Sequence, residues 1–141
     1  MGILNITPDS FSDGGFYNSK ELAVKRASQL INDGADILDI GGESTRPGAS
    51  QISIKEELNR IIPVIKEIRN RYKDILISVD TYKSEVAKQS ITSGANIIND
   101  ISGLVLDKKM AGVAASLDVP VVLMHLKGTP RNMQVNPTYK N

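Results

Sequence analysis

Residues 34–42 read GADILDIGG, and their pattern returns 60 residues later in residues 94–103, GANIINDISG. Each copy has a glycine turn, a small residue, a polar residue, an apolar strand and an acidic residue near the end of the strand. Two βα units of about 30 residues separate the copies, which is the repeat size of a (β/α) barrel, where about 250 residues supply eight units. The repeated pattern therefore predicts parallel strands arranged as in a barrel.

The rest of the chain alternates in the same way between short β-rich runs and longer segments of helical period. The predicted strands are GILNI, DILDI, ILISV, NIINDI and PVVLM, and the predicted helices span residues 20–33, 53–72, 83–93 and 107–117. The strands are apolar on both sides of the pleat, as in a parallel sheet buried on both faces. The predicted fold class is α/β: a partial (β/α)8 TIM barrel, β-α-β-α-β-α-β-α-β, with strands 6–8 absent from this chain. We expect residues 1–141 to form a single domain, truncated at the C-terminus.

Capping residues mark the helix boundaries. Ser19 is the predicted N-cap of the first helix, and Gly34 stands at the position of a C′ glycine. Ser53 and Glu56 have the spacing of a capping box at the start of the second helix. Pro63 lies inside that helix, where it removes one hydrogen bond, and we expect a kink.

Composition excludes several classes of function. The 141 residues are 40% hydrophobic, with 17 basic and 16 acidic side chains. The balanced, scattered charge gives no footprint for nucleic acid, and the apolar runs are too short to span a membrane. Because there is no Cys and only one His, thiolate zinc sites, disulfides and multi-His metal sites are excluded. We expect a cytoplasmic protein.

Each predicted strand ends in a side chain that can bind a polar ligand. These residues are Asn5, Asp39, Asp80, Asn99 and His125. In parallel α/β folds the active site lies at the C-terminal ends of the strands. Any one of these residues, taken alone, could instead be a turn former or a helix cap, and the single His is more often structural than catalytic.

Two of the predicted loops have unusual compositions. Phe11 lies among small polar residues, which suits an aromatic lid over a flat ligand. The second loop places Ser44, Thr45 and Arg46 beside glycines, a combination that favours phosphate oxygens through hydroxyl and guanidinium donors.

Five stretches together resemble the dihydropteroate synthase family of pterin-binding enzymes. They are MGILNITPDSFSDGG, ILDIGGESTRPGA, ISVDTYKSEVA, NIINDISG and VLMHLKGTP, in that order. The resemblance implies an eight-stranded (β/α) barrel that joins 6-hydroxymethyl-7,8-dihydropterin diphosphate to 4-aminobenzoate in folate biosynthesis, releasing diphosphate. It also implies a sulfonamide target and a homodimer when full length.

The resemblance assigns roles to individual residues. It implies that Asn5 holds Mg²⁺, that Thr45 and Arg46 bind the diphosphate, and that Asp80 and Asn99 bind the pterin and act in catalysis. Four further positions are implied to contact substrate: Asp9, Ser10, Phe11 and Pro47, of which Phe11 and Pro47 would form the wall of the aminobenzoate site.

Two alternatives remain open at this point. A methyltetrahydrofolate-binding methyltransferase resembles the same barrel and also holds a pterin, but the first two loops match the synthase pattern better. The other alternative is an inactive pterin-binding fragment, because the family continues beyond Asn141 with strands that complete the pterin and diphosphate sites.

Overall fold

A computed structural model describes residues 1–7, 15–44 and 50–125, with side chains of the first helix described from Lys20 onward. Five strands alternate with four helices in the predicted order. The strands are β1 (Gly2–Asn5), β2 (Ile37–Gly41), β3 (Leu76–Asp80), β4 (Ile97–Asp100) and β5 (Val121–Leu123). The helices are α1 (Gly15–Asn32), α2 (Ile54–Arg71), α3 (Ser84–Thr92) and α4 (Met110–Leu117).

The five strands form one parallel sheet in the order β1-β2-β3-β4-β5. Each strand pairs with the next one along the chain, so every connection is a βα crossover of the kind found in the first part of a (β/α) barrel. The predicted α/β fold class is confirmed.

The core lies between the sheet and the helices. Alternate strand residues point toward the helices and are completely or almost completely buried: Leu4, Leu38, Ile40, Ile77, Val79 and Ile98. Ile61, Val64, Ile65 and Ile68 of α2 pack against them, as the helical period of that segment predicts.

The other face of the sheet, here called the inner face, is only partly covered. Ile3, Leu76 and Val122 lie on it and are 64%, 43% and 40% exposed. The prediction of strands buried on both faces therefore holds for the helix-facing side, while the five described strands leave only part of the inner face exposed.

None of the described helices is both long enough and apolar enough to span a membrane.

The predicted start of the first helix is wrong, and its predicted end is confirmed. α1 begins at Gly15, so Ser19 lies inside the helix instead of capping it. At the other end Gly34 has a φ of +95°, and its N–H donates to the Ile31 carbonyl over 3.0 Å. Gly94 has a φ of +117° at the matching point of the second copy, so the two copies share a left-handed glycine turn.

The second and fourth helices show what the boundary signals can and cannot predict. Ser53 caps α2 by accepting the Glu56 N–H at 3.1 Å, and the helix continues through Pro63 without being divided. α4 begins at Met110, three residues later than predicted. Asp107 forms a turn there, since its carboxylate accepts the backbone N–H groups of Lys109 and Ser84.

Candidate active site

Three of the predicted site residues lie side by side on the inner face. Strand register pairs Asn5 with Gly41, Gly41 with Asp80, and Asp80 with Asn99. Paired residues of parallel strands point to the same face of a sheet. The last residues of β1, β2 and β3, together with Asn99 near the end of β4, therefore form one row at the C-terminal edge.

Gly41 leaves a gap in this row between two polar side chains. A methyl group built on Gly41 would lie 3.4 Å from Asp80 Oδ2 and 3.5 Å from Asn5 Oδ1. The Asn5 amide oxygen and the Asp80 carboxylate thus border the same small space, which a larger side chain at position 41 would fill.

Asp39 forms the layer below this row. It is 6% exposed and accepts a hydrogen bond from Asn99 Nδ2 at 3.0 Å through Oδ2. Asp39 and Asn99 occupy equivalent positions in the two copies of the repeated pattern, five residues after Gly34 and Gly94 respectively. This bond fixes the Asn99 amide with its nitrogen toward Asp39, so its oxygen is left as an acceptor.

Three buried carboxylate or amide oxygens on the inner face have no hydrogen-bond partner among the described residues. They are Asp39 Oδ1, Asp80 Oδ1 and Asn99 Oδ1, and the buried Ser78 hydroxyl on the same face also has no such partner. A buried polar atom without a partner costs about 1–3 kcal/mol, and native proteins contain few of them. Three on adjacent strands indicate a surface that is complementary to a ligand carrying several N–H or O–H donors.

Burial and neighbouring charge raise the pKa of Asp80. Desolvation is the largest cause, followed by the negative charges of Asp39, Glu57 and Asp100, and together they bring the pKa from its usual 3.8 to about 7. A carboxyl group in this state is partly protonated at neutral pH, and a ligand that offers donors or positive charge favours its ionised form. Strongly perturbed carboxyl groups of this kind are concentrated at functional sites.

Asp100 and His125 differ from the other strand-end residues. Asp100 accepts the N–H and the hydroxyl of Ser102, both at 2.7 Å, and the N–H of Leu104 at 3.1 Å. Both of its oxygens are therefore used in the turn after β4. His125 follows β5 and is exposed.

A predicted Mg²⁺ site at Asn5 fits the chemistry of the donor set. Among the described residues no group of three or more His, Cys, Asp or Glu side chains could hold a metal ion. Mg²⁺, however, is often bound by one or two protein oxygens together with water and substrate phosphates. The Asn5 amide oxygen beside Asp80 can supply such a ligand, and the assignment of Mg²⁺ stays a prediction.

Six predicted substrate contacts lie outside the described residues. The family resemblance assigns four of them to the diphosphate or the aminobenzoate and two more to the substrate in general: Thr45, Arg46, Phe11, Pro47, Asp9 and Ser10. Their roles rest on the sequence motifs alone.

Two features of the site do not emerge from the sequence reasoning. Asp39 is predicted only as a strand-end residue, without a role, although its matching position with Asn99 in the repeat is an available signal. The second feature is a buried cluster of Glu43, Glu57, Tyr82 and Lys83. Its members come from segments that are distant in the chain, and no local motif connects them.

Comparison with known proteins identifies the family. The sequence profile of the family "Pterin binding enzyme" matches residues 1–141. The dihydropteroate synthase of Clostridium beijerinckii is 53% identical over 141 residues, which is 100% of this chain and 49% of that protein. The chain thus spans about half the length of this curated relative.

Two solved structures have the same fold over the whole of their matched region. Yersinia pestis dihydropteroate synthase in a sulfonamide drug complex has a TM-score of 0.89 at 48% identity, covering 100% of this chain and 50% of that one. Xanthomonas albilineans dihydropteroate synthase with 4-aminobenzoic acid has a TM-score of 0.85 at 49% identity, covering 91% and 46%. With the family profile matching every residue, the chain belongs to the pterin-binding enzyme family.

Proposed function

We propose that the protein carrying this chain is a dihydropteroate synthase of folate biosynthesis. It joins 6-hydroxymethyl-7,8-dihydropterin diphosphate to 4-aminobenzoate and releases diphosphate. The observation that carries the proposal is the set of three buried acceptors without partners among the described residues, at Asp39, Asp80 and Asn99. A pterin edge is a flat array of ring N–H and amino donors, and three acceptors on adjacent strands suit it.

The pterin site would use the acceptors in different ways. The Asp80 carboxylate accepts ring N–H groups, and the Asn99 oxygen, oriented by the bond from its amide nitrogen to Asp39, accepts another donor. Asp39 acts mainly by holding Asn99 in this orientation. An amide without such a partner could present either its nitrogen or its oxygen to the ligand.

Asp80 would also contribute to the chemical step. In a dissociative course the bond between the pterin methylene carbon and the diphosphate oxygen breaks first, and positive charge develops on the pterin. The amine of 4-aminobenzoate then forms the new C–N bond and loses one proton. A preorganised carboxylate beside the ring stabilises the developing charge in a site from which water is partly excluded.

The leaving diphosphate needs its own positive and polar partners. The motif residues Thr45 and Arg46 supply a hydroxyl and a forked guanidinium for its oxygens. Asn5 would supply a protein oxygen to Mg²⁺, which neutralises diphosphate charge when bound. Asp9, Ser10, Phe11 and Pro47 are assigned to the substrate pocket by the same motifs, with the aminobenzoate between Phe11 and Pro47.

Product formation by the protein in its full length tests the proposal. The assay contains both substrates and Mg²⁺, and chromatography measures 7,8-dihydropteroate and diphosphate in equal amounts. Methyl transfer from methyltetrahydrofolate to cobalamin would identify the alternative methyltransferase. Pterin binding without formation of either product would show that the protein binds pterin but does not catalyse either reaction.

Three further expectations belong to this proposal and await their own tests. We infer a homodimer for the full-length protein, a cytoplasmic location and sensitivity to sulfonamides. The last is supported by the relative from Yersinia pestis that was solved with a sulfonamide drug. Sedimentation, cell fractionation and inhibition by a sulfonamide, respectively, measure these properties.

A further inference from the structure

A single ammonium group lies at the centre of a buried cluster behind the end of β3. Lys83 Nζ donates to Glu43 Oε2 at 2.5 Å, to Glu57 Oε2 at 2.6 Å and to the Ile52 carbonyl at 2.8 Å. An ammonium group has three donors, so all of them are used. The Lys83 side chain is 13% exposed, and the Glu43 and Glu57 side chains are 8% and 1% exposed.

The cluster joins segments that are distant in the sequence. Glu43 follows β2, Ile52 precedes α2, and Glu57 lies in the first turns of α2. Glu43 is bound on its other side as well, because Tyr82 OH donates to Oε1 at 2.7 Å and the Ile52 N–H donates to Oε2 at 3.3 Å. Both ends of segment 43–52 are thereby fixed to the junction of β3 and α3.

The backbone before Glu43 is held in the same region. Arg60 Nη1 donates to the Gly42 carbonyl at 2.8 Å. A methyl group built on Gly42 would lie 2.8 Å from Ile61 Cγ2 and 3.0 Å from Glu57 Cγ, so only a glycine lets β2 and α2 approach this closely. The end of β2 therefore has little freedom to shift relative to α2.

Stability alone gives no sufficient reason for this arrangement. Two buried carboxylates share one ammonium, and burial raises the pKa of Glu57 against the opposing effect of its hydrogen bond and ion pair with Lys83. Buried ion pairs often contribute less to stability than apolar side chains of the same size, because both charges lose their hydration. What such a cluster does supply is a defined distance between the groups that it joins.

We propose that Lys83 is a positioning residue for the active site, which fixes both ends of segment 43–52 relative to Asp80. The inference rests on the proposed function, because that segment contains Thr45 and Arg46, the residues assigned to the diphosphate. Asp80 lies three residues before Lys83 at the end of β3, so the cluster links the pterin contact and the diphosphate contacts through one buried group.

Replacement of Lys83 by Arg tests this role in the full-length protein. Arg keeps the charge, but its planar guanidinium cannot direct three donors toward three acceptors around one point. Arg69→Lys is the matched control. Arg69 is also a half-buried cation, and it donates to the Gly94 carbonyl at 3.1 Å and to Asn96 Oδ1 at 2.6 Å near the opposite ends of the strands.

Amide hydrogen exchange measures the positioning directly. Loss of a charged hydrogen bond corresponds to about tenfold or more in a local opening equilibrium, so peptides covering residues 43–44 and 50–53 should exchange about tenfold faster in Lys83→Arg. Arg69→Lys should leave these peptides unchanged. If Lys83→Arg does not fold, the double variant Lys83→Met/Glu57→Gln, which removes one charge of each sign, replaces it.

Steady-state kinetics separates positioning from a general loss of structure. Lys83→Arg should raise the KM for pterin diphosphate about tenfold. Arg69→Lys should leave this KM unchanged even though it also lowers thermal stability. Equal exchange of residues 43–44 and 50–53 in the two variants overturns the proposal, and so does faster exchange with an unchanged KM. If the parent protein forms no dihydropteroate, the proposed synthase function fails, and the exchange experiment still decides whether Lys83 fixes the segment.

Discussion

Replacing Asp80 by Asn should make the protein gain stability relative to the parent as pH rises toward neutral, and it should make the protein far less active. The folded protein holds a proton on Asp80 up to a pKa of about 7, compared with 3.8 for an ordinary Asp. Between these two values the folded state binds more protons than the unfolded state. The contribution of Asp80 to the stability of the parent protein therefore falls as pH rises through this range and is constant above it.

The size of the effect follows from the two pKa values. The difference between about 7 and 3.8, at about 1.36 kcal/mol per pKa unit, is on the order of 4 kcal/mol. The amide introduced by Asp80→Asn carries no charge at any pH, so the variant does not suffer this loss. An unsatisfied buried amide has its own cost, but that cost does not change with pH. The measured quantity is therefore how the stability difference between variant and parent grows from about pH 4.5 to about pH 8.

Urea unfolding of both proteins over this pH range provides the measurement. Asp74→Asn is the control, because Asp74 is exposed and precedes β3 at the end opposite to Asp80. The free energy of unfolding of Asp80→Asn should gain several kcal/mol on the parent between the two pH values, and that of Asp74→Asn should run parallel to the parent. A constant difference for Asp80→Asn would refute the reasoning, since it would mean that ionised Asp80 costs the fold nothing.

The activity of the same variant should change in the opposite direction. Removing a preorganised electrostatic group from an active site costs on the order of 3–4 kcal/mol, a rate loss of about 10²–10³-fold. Dihydropteroate formation at saturating substrates measures this loss, and a reduction below about threefold would contradict the proposed role of Asp80.

Four further predictions concern the ligands and the end of β2. Pterin donors favour the ionised form of Asp80, so pterin affinity should rise with pH up to about 7 and then level off; calorimetric titration that gives a flat or falling profile would contradict this. Gly41→Ala should leave stability within about 1 kcal/mol of the parent but weaken pterin diphosphate about tenfold, because its methyl group fills the gap between Asn5 and Asp80. Gly42→Ala, whose methyl group would meet α2 at 2.8 Å, should instead lose about 1–3 kcal/mol of stability in urea unfolding. Phe11→Leu should weaken 4-aminobenzoate and sulfonamides while leaving pterin binding nearly intact, and equal losses for both ligands would show that Phe11 does not belong to the aminobenzoate site.

The repeated pattern shows how far the sequence could predict the site. The copies place Asp39 and Asn99 five residues after their glycines, and Asp100 six residues after its glycine. Because strand side chains alternate between faces, this one-residue difference puts Asp39 and Asn99 on the inner face and Asp100 on the other. The sequence contains the distinction, but grouping all acidic strand-end residues together hides it. The hydrogen bond between Asp39 and Asn99 could not be predicted, because it depends on how the strands are staggered.

The start of the first helix could not be derived from local signals. Ser19 has the chemistry of an N-cap, but α1 already begins at Gly15, although Gly is a poor residue for a helix. Helix propensity is a weak preference that tertiary packing overrides. The buried face of α1 at Ala23, Val24 and Ala27, by contrast, follows the helical period and was predictable.

Glu57 carries a signal that can be interpreted only in part without the fold. It lies on the same stripe of α2 as Ile61, Val64 and Ile68 and is 1% exposed. A carboxylate on the apolar stripe of a helix must be paired or neutralised, so its position alone predicts a buried cation or a proton. Nothing local indicates that the partner is Lys83, which is 26 residues away, because only the parallel βα arrangement brings the start of α2 beside the end of β3. The same arrangement brings Asp80 next to Asn99 and separates it from Asn5 only by Gly41. The unfavourable buried charges and the proposed ligand contacts therefore have one common cause, which is that the strand ends meet at a single edge of the sheet.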